Sequence, residues 1–168
     1  GSSGEHQSFP GTASIGTAAL HLTIVELVRS VRSWAGQVVL VNGHGGNVEA
    51  MVAAVCQLRR EGHDVAWAPC MAPGADAHAG YTETSILLHL APGLVRIDLL
   101  EAGNTEELQD IYPALVAGGI SAVSSNGVLG DPRGANREAG AALFEAMILE
   151  VESRIATGRV DSRGMMVR

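Results

Sequence analysis

Between Gly16 and Trp34, apolar residues recur every three or four positions at Leu20, Ile24, Leu27, Val28 and Val31. This spacing predicts an amphipathic helix. A run of strand-favouring residues follows at Gln37 to Val41. A second helical pattern from about Val48 to Gly62 then places Met51, Val52, Val55 and Leu58 on one side. Asp64 to Ala68 reads as the next strand. Strand, helix and strand within roughly 30 residues are the mark of a parallel crossover, and therefore of an α/β sheet. Farther along, Thr82 to Leu90 predicts a short helix that Pro92 ends, and Thr105 to Val116 a helix interrupted by Pro113. Ile120 to Leu129 reads as a strand leading into a loop. The stretch from about Asn136 to Ile155 predicts a last helix, with Leu143, Met147, Ile148, Val151 and Ile155 on one side. Together these elements are expected to form one domain over residues 1–157, followed by a frayed, flexible tail over residues 158–168.

Composition narrows the classes. A chain of 168 residues that is 46% hydrophobic and 17% charged can bury a sizeable core and is not a disordered polymer. The net charge of -7, with arginines scattered along the chain, argues against nucleic acid as a partner. No apolar stretch is long enough for a membrane-spanning helix, so a protein of the cytoplasm with no membrane partner is expected. Cys56 and Cys70 do not make a disulfide framework and read as small buried hydrophobes in a reducing compartment. Trp34 and Trp67 read as core or interface residues.

Candidate chemistry concentrates in a few segments. Val38 to Asn47, VVLVNGHGGN, runs a buried-strand pattern into a glycine-rich turn that displays His44. Open α/β sheets bind ligands at the carboxyl ends of their strands, so His44 reads either as a ligand or as part of a tight connection. A second constellation puts Asp76, His78 and Glu83 within eight residues, in a loop that becomes a helix. Imidazole and carboxylate suit divalent metals and acid–base chemistry. Equally, Asp76 or Thr82 can cap the helix, and Glu83 can sit in its first turn, where the dipole favours a negative charge. Because this loop also follows a strand, it is expected at the same sheet edge as His44. Glu5 to Thr12, which holds Glu5 and His6, and the Ser124 to Pro132 loop are further candidates for a pocket wall. His21, His63 and His89 read as packing or surface residues. A dinucleotide fingerprint fails because Val48 stands where its third glycine is needed, and there is no Walker lysine.

Three ordered segments, FPGTASIG (Phe9 to Gly16), VNGHGGN (Val41 to Asn47) and HAGYTETS (His78 to Ser85), with GVLGDP (Gly127 to Pro132) closing the series, resemble the creatininase family of metal-dependent amidohydrolases. The similarity covers nearly the whole chain. It implies a three-layer α/β/α sandwich with a mostly parallel sheet. It also implies a two-metal site holding Zn, Fe or Mn, and a homo-oligomer, usually a hexamer. By resemblance, His44 and Glu83 are metal ligands and His78 is the acid/base at the scissile amide. Glu5, His6, Gly45, Gly46 and Tyr81 are then candidates for substrate binding. The motifs are most similar to a peptidase branch, which implies a modified precursor peptide cleaved to release its C-terminal piece. Two alternatives stand: a hydrolase or deformylase for small cyclic amides, and a metal-free binding or assembly protein that keeps the fold.

The chain departs from the family pattern at its start. The family draws further ligands from an N-terminal Glu-x-His and a following Asp, on a strand expected before Gly1, and Glu5-x-Gln7 lacks the histidine. The chain therefore reads as a portion without the family's N-terminal strand, expected to bind metal weakly and to expose apolar surface.

Overall fold

A computed structural model describes residues 1–168. The chain divides into two compact units, one formed by residues 1–4, 13–70 and 148–168, the other by residues 5–12 and 71–147.

The first unit is built on the expected crossover. Helix α1 (Gly16–Val31) precedes strand β1 (Val38–Asn42), helix α2 (Val48–Arg60) and strand β2 (Val65–Pro69). The strands pair in parallel, with Val38 opposite Val65 and Asn42 opposite Pro69. Successive strand residues point to opposite faces. Accordingly Val38, Leu40, Val65 and Trp67 pack with Ile24, Val25 and Val28 of α1 and with Met51, Val55 and Leu58 of α2. Val39, Ala66 and Ala68 pack instead with Val151, Val160 and Met166. Val151 belongs to the second half of helix α5 (Arg137–Thr157), so within this unit the sheet lies between helical layers, as an α/β/α arrangement requires.

Three details differ from the hydrophobic pattern. Leu27 is 57% exposed, because α1 turns Ile24, Val25 and Val28 inward and a sheet of two strands covers only a narrow strip of each helix. For the same reason Ile148 and Ile155 are half exposed. Trp34, beyond the end of α1, projects outward. The tail residues meanwhile run beside β2: the Trp67 backbone N–H donates to the Gly164 carbonyl, the Met166 N–H to the Trp67 carbonyl, and Trp67 Nε1 to the Arg163 carbonyl. The open edge of β2 carries unpaired backbone groups, and the tail satisfies them.

The second unit contains helices α3 (Tyr81–Leu90) and α4 (Leu108–Gly118) and the first half of α5, joined by long connections. Helix α4 keeps Pro113 inside it. Residues 120–129 do not form the expected strand: Ile120–Ala122 is a single 3-10 turn and the remainder is loop. The β-branched residues there are used for packing, since Ile120, Val123 and Leu129 gather with Ile111 and Phe9 in a small core. Gly140 lets α5 lie against α3, where a Cβ would overlap the Ser85 carbonyl. No helix is long and apolar enough to cross a membrane.

Two predictions follow from the first unit. Leu58 is fully buried, so Leu58→Ala should cost about 2–5 kcal/mol in denaturant unfolding. The Arg29 guanidinium, hydrogen-bonded to Glu61 across the α1–α2 packing, lowers the Glu61 carboxyl from 4.5 to about 2. A lowered folded-state value contributes stability above the ordinary value, and that contribution is lost as pH falls through about 2. Glu61→Gln should therefore be less stable than the wild type at neutral pH. The difference should shrink as urea midpoints are measured toward about pH 2. The pair is exposed, so the effect at neutral pH is small.

Candidate active site

In the first unit, β1 ends at Asn42, and Gly43, His44 and a 3-10 turn over Gly45–Asn47 carry the chain into α2. His44 itself is extended (φ -137, ψ 125). The buried Asn42 side chain holds the turn from inside. Its Nδ2 donates to the His44 carbonyl at 3.0 Å, and its Oδ1 accepts from the His44 N–H at 3.4 Å and from Asn47 Nδ2 at 3.3 Å. Asn47 Oδ1 in turn accepts from the Ser2 N–H at 3.0 Å. The histidine stands on a hydrogen-bonded platform at the carboxyl end of a strand, and Asn47, one of the two asparagines that build it, is a residue to which sequence reasoning gave no role.

In the second unit, the segment before α3 is closed by reciprocal bonds. Asp76 Oδ1 accepts from the Thr82 N–H at 3.0 Å, and the Asp76 N–H donates to Thr82 Oγ1 at 3.4 Å. Of the two readings of Asp76, the helix-end role is the one realised. Its other oxygen, Oδ2, is buried without a hydrogen-bond partner, tucked against Gly80 and Gly130, where any Cβ would overlap it.

The same closure sets His78. Its backbone exchanges two hydrogen bonds with Leu129, His78 N–H to the Leu129 carbonyl at 3.1 Å and the reverse at 2.8 Å. The Ser124 to Pro132 loop thus borders the candidate residue after all, through backbone pairing. Ala79 follows with φ 54, a left-handed conformation uncommon for a residue with a Cβ. That turn aims the Ala79 N–H at Glu83 Oε2, 2.5 Å away. The same Oε2 lies 3.5 Å from His78 Nδ1. Glu83 therefore serves both its first-turn role and the imidazole.

Residues from the start of the chain complete this unit's cluster. The His6 ring lies against that of His78, with centroids 4.5 Å apart and planes at 51°. His6 Nε2 is 3.7 Å from Glu5 Oε1. Glu5, His6, His78 and Glu83 thus form a linked group of two carboxylates and two imidazoles, with the side chains of Glu5, His6 and His78 partly buried and that of Glu83 about half exposed. Neutral imidazole nitrogen and carboxylate oxygen are a donor set that zinc, iron and manganese accept. Tyr81 opens α3 and is 37% exposed, its hydroxyl accepting from Asn136 Nδ2 at 3.4 Å. Gly45 and Gly46 lie in the turn that follows His44.

The family model described as "Creatininase: Creatinine amidohydrolase" matches residues 1–155. The chain belongs to the creatininase family. It is accordingly a hydrolase of amide C–N bonds. It is 51% identical to the "Mycofactocin precursor peptide peptidase" of Mycolicibacterium smegmatis, over 99% of this chain and 67% of that protein. It is 50% identical to the protein of the same name from Mycobacterium tuberculosis, over 99% and 66%. Among solved creatininase structures, a mutant of Zn-Zn type matches with a TM-score of 0.67 at 26% identity, covering 90% of this chain and 67% of that one. A crystal structure of creatinine amidohydrolase matches with a TM-score of 0.65 at 25% identity, over 90% and 67%. The creatininase-family chain spans about two thirds of the length of these relatives. The α/β class expected from the motifs agrees with these likenesses.

The closure around Asp76 gives a direct test. Gly80→Ala places a methyl group on the buried Asp76 carboxylate, so it should destabilise the second unit by about 1–3 kcal/mol. It should also raise amide hydrogen exchange at His78 and Leu129. Wild-type exchange at those two amides would show that the closure does not hold the His78 segment.

Proposed function

We propose that this chain carries out amide hydrolysis as a metal-dependent peptidase, releasing the modified C-terminal piece of the mycofactocin precursor peptide. The observation that carries the reading is the His78–Glu83 pair, held by the Leu129 backbone and the Ala79 turn, in a chain half identical to peptidases of that name. A histidine titrates near neutrality and suits proton transfer to a leaving amide nitrogen. Glu83 Oε2, beside Nδ1, orients the ring and favours the tautomer with the proton on Nδ1. Nε2 is then the atom that exchanges a proton with substrate. The Leu129 pairing keeps the ring's backbone from drifting during that exchange.

His44 and Glu83 are the proposed metal ligands, with Glu5 and His6 supplying chemistry of the same kind. Glu83 uses Oε2 for Ala79 and His78, which leaves Oε1 for a cation. Divalent ions, when bound, supply Lewis acidity toward the amide carbonyl and toward water. Zinc is the first metal to test, because one structural relative is described as Zn-Zn type. We further propose a cytoplasmic homo-oligomer, a hexamer as the resemblance implies: Cys56 and Cys70 are free thiols, and Leu22 and Trp34 are large exposed apolar residues suited to subunit contact.

The two roles separate by mutation. His44→Ala and Glu83→Ala should each lower metal content measured by inductively coupled plasma mass spectrometry and abolish precursor cleavage. His78→Ala should keep the metal and lose about 10²–10⁴-fold in cleavage rate. Cleavage retained in both ligand variants would sink the assignment.

A further inference from the structure

We propose that a groove beside Glu83 is a recognition subsite for the peptide substrate, taking an apolar residue together with a neighbouring acidic side chain. This rests on the peptidase reading and specifies what such a peptide presents. The groove has a volume of about 310 Å³ and is lined by Glu83 and Leu87 of α3 and by Leu94, Val95, Arg96 and Leu100 of the segment that follows. Glu83 and Leu87 are four residues apart and share one face of the helix. The opposite wall owes its shape to two single 3-10 turns, Pro92–Leu94 and Ile97–Leu99, which leave Val95 and Arg96 between them.

The chemistry of the lining selects the occupant. Four aliphatic side chains ask for an apolar residue. Arg96 is exposed, and its guanidinium takes no part in an ion pair or side-chain hydrogen bond. In a chain of net charge -7, an uncommitted guanidinium at an apolar groove creates a local preference for a carboxylate. Glu83 makes no ion pair with it, its Oε2 being engaged by the Ala79 N–H and His78. The groove opens to solvent, with Leu94 73% and Leu87 39% exposed, so a peptide side chain can reach it. The carboxylate proposed is that of an acidic side chain, and a terminal carboxylate is the other source, which the test separates. Since Glu83 belongs both to the groove and to the His78 pair, a peptide held here lies next to the group that transfers the proton.

The test reads binding and needs no turnover. Three acetylated hexapeptides are titrated calorimetrically into the protein: Gly-Gly-Glu-Leu-Gly-Gly amide, the same peptide with Gln for Glu, and the Gln peptide with a free C-terminal carboxylate. The Glu peptide should bind about tenfold more tightly than its Gln counterpart, as a charge-assisted pair provides. Arg96→Gln should bring the two within about twofold, and Leu94→Asn should weaken both by a similar factor. Three results would overturn the proposal: equal binding of the Glu and Gln peptides, a contrast that survives Arg96→Gln, or a preference that follows only the free terminus. Absence of measurable binding by all three peptides would overturn it as well. Failure of the precursor to be cleaved, with the Glu preference intact, would count against the peptidase reading alone.

Discussion

Two strands that pair in parallel cannot be joined by a tight hairpin; the chain must travel back along the sheet before the second strand begins. In this protein α2 makes that return, and much of the first unit follows from it. The helix has to bury an apolar face on the sheet, so Met51, Val55 and Leu58 meet Val65 and Trp67. The chain must also leave β1 at its carboxyl end and enter α2 within a few residues. A 3-10 turn over Gly45–Asn47 makes the bend, and Asn42 and Asn47 fasten it. A histidine placed in that connection has nowhere to wander. The position of His44 is thus a by-product of strand polarity.

A different economy governs the second unit, which has no paired strands of its own. Its candidate site residues are held by isolated backbone exchanges and by helix-end chemistry. His78 and Leu129 swap two hydrogen bonds, Asp76 and Thr82 swap two more, and Glu83 reaches back to the Ala79 N–H. Gly80 and Gly130 are needed because the Asp76 carboxylate fills the space a side chain would take. These devices order a loop that would otherwise pay a large conformational entropy cost to present an imidazole. Burying Asp76 Oδ2 without a partner is a further cost of that order.

Legibility in the sequence differed between the two units for a physical reason. Helices α1, α2, α3 and α5 and both strands carry periodic patterns because each buries one face, and their bounds fall within a few residues of those patterns. Ile120 to Leu129 has strand-like composition yet forms a turn and loop, since β-branched side chains serve a small core as well as a sheet. The order of His78 and Glu83 marked them as candidates. Their spacing could not say that the left-handed Ala79 turns Glu83 toward His78, nor that Asp76 turns away to the helix end. Glu5 and His6 were candidates for a pocket wall and for substrate binding, but nothing local indicates that the His6 ring comes to rest on His78, 72 positions later.

Family, fold class and the identity of the chemically capable residues were determined by the sequence itself, because motif order, hydrophobic period and donor type are local properties. Which of those residues face one another was decided by tertiary structure. The Glu5–His6–His78–Glu83 group depends on pairing between segments far apart in the chain, and the Arg96 groove depends on how the Leu94 to Leu100 segment folds back on α3. Such long-range closures are set by the summed packing and backbone pairing of the whole unit, and no short stretch of sequence contains that sum.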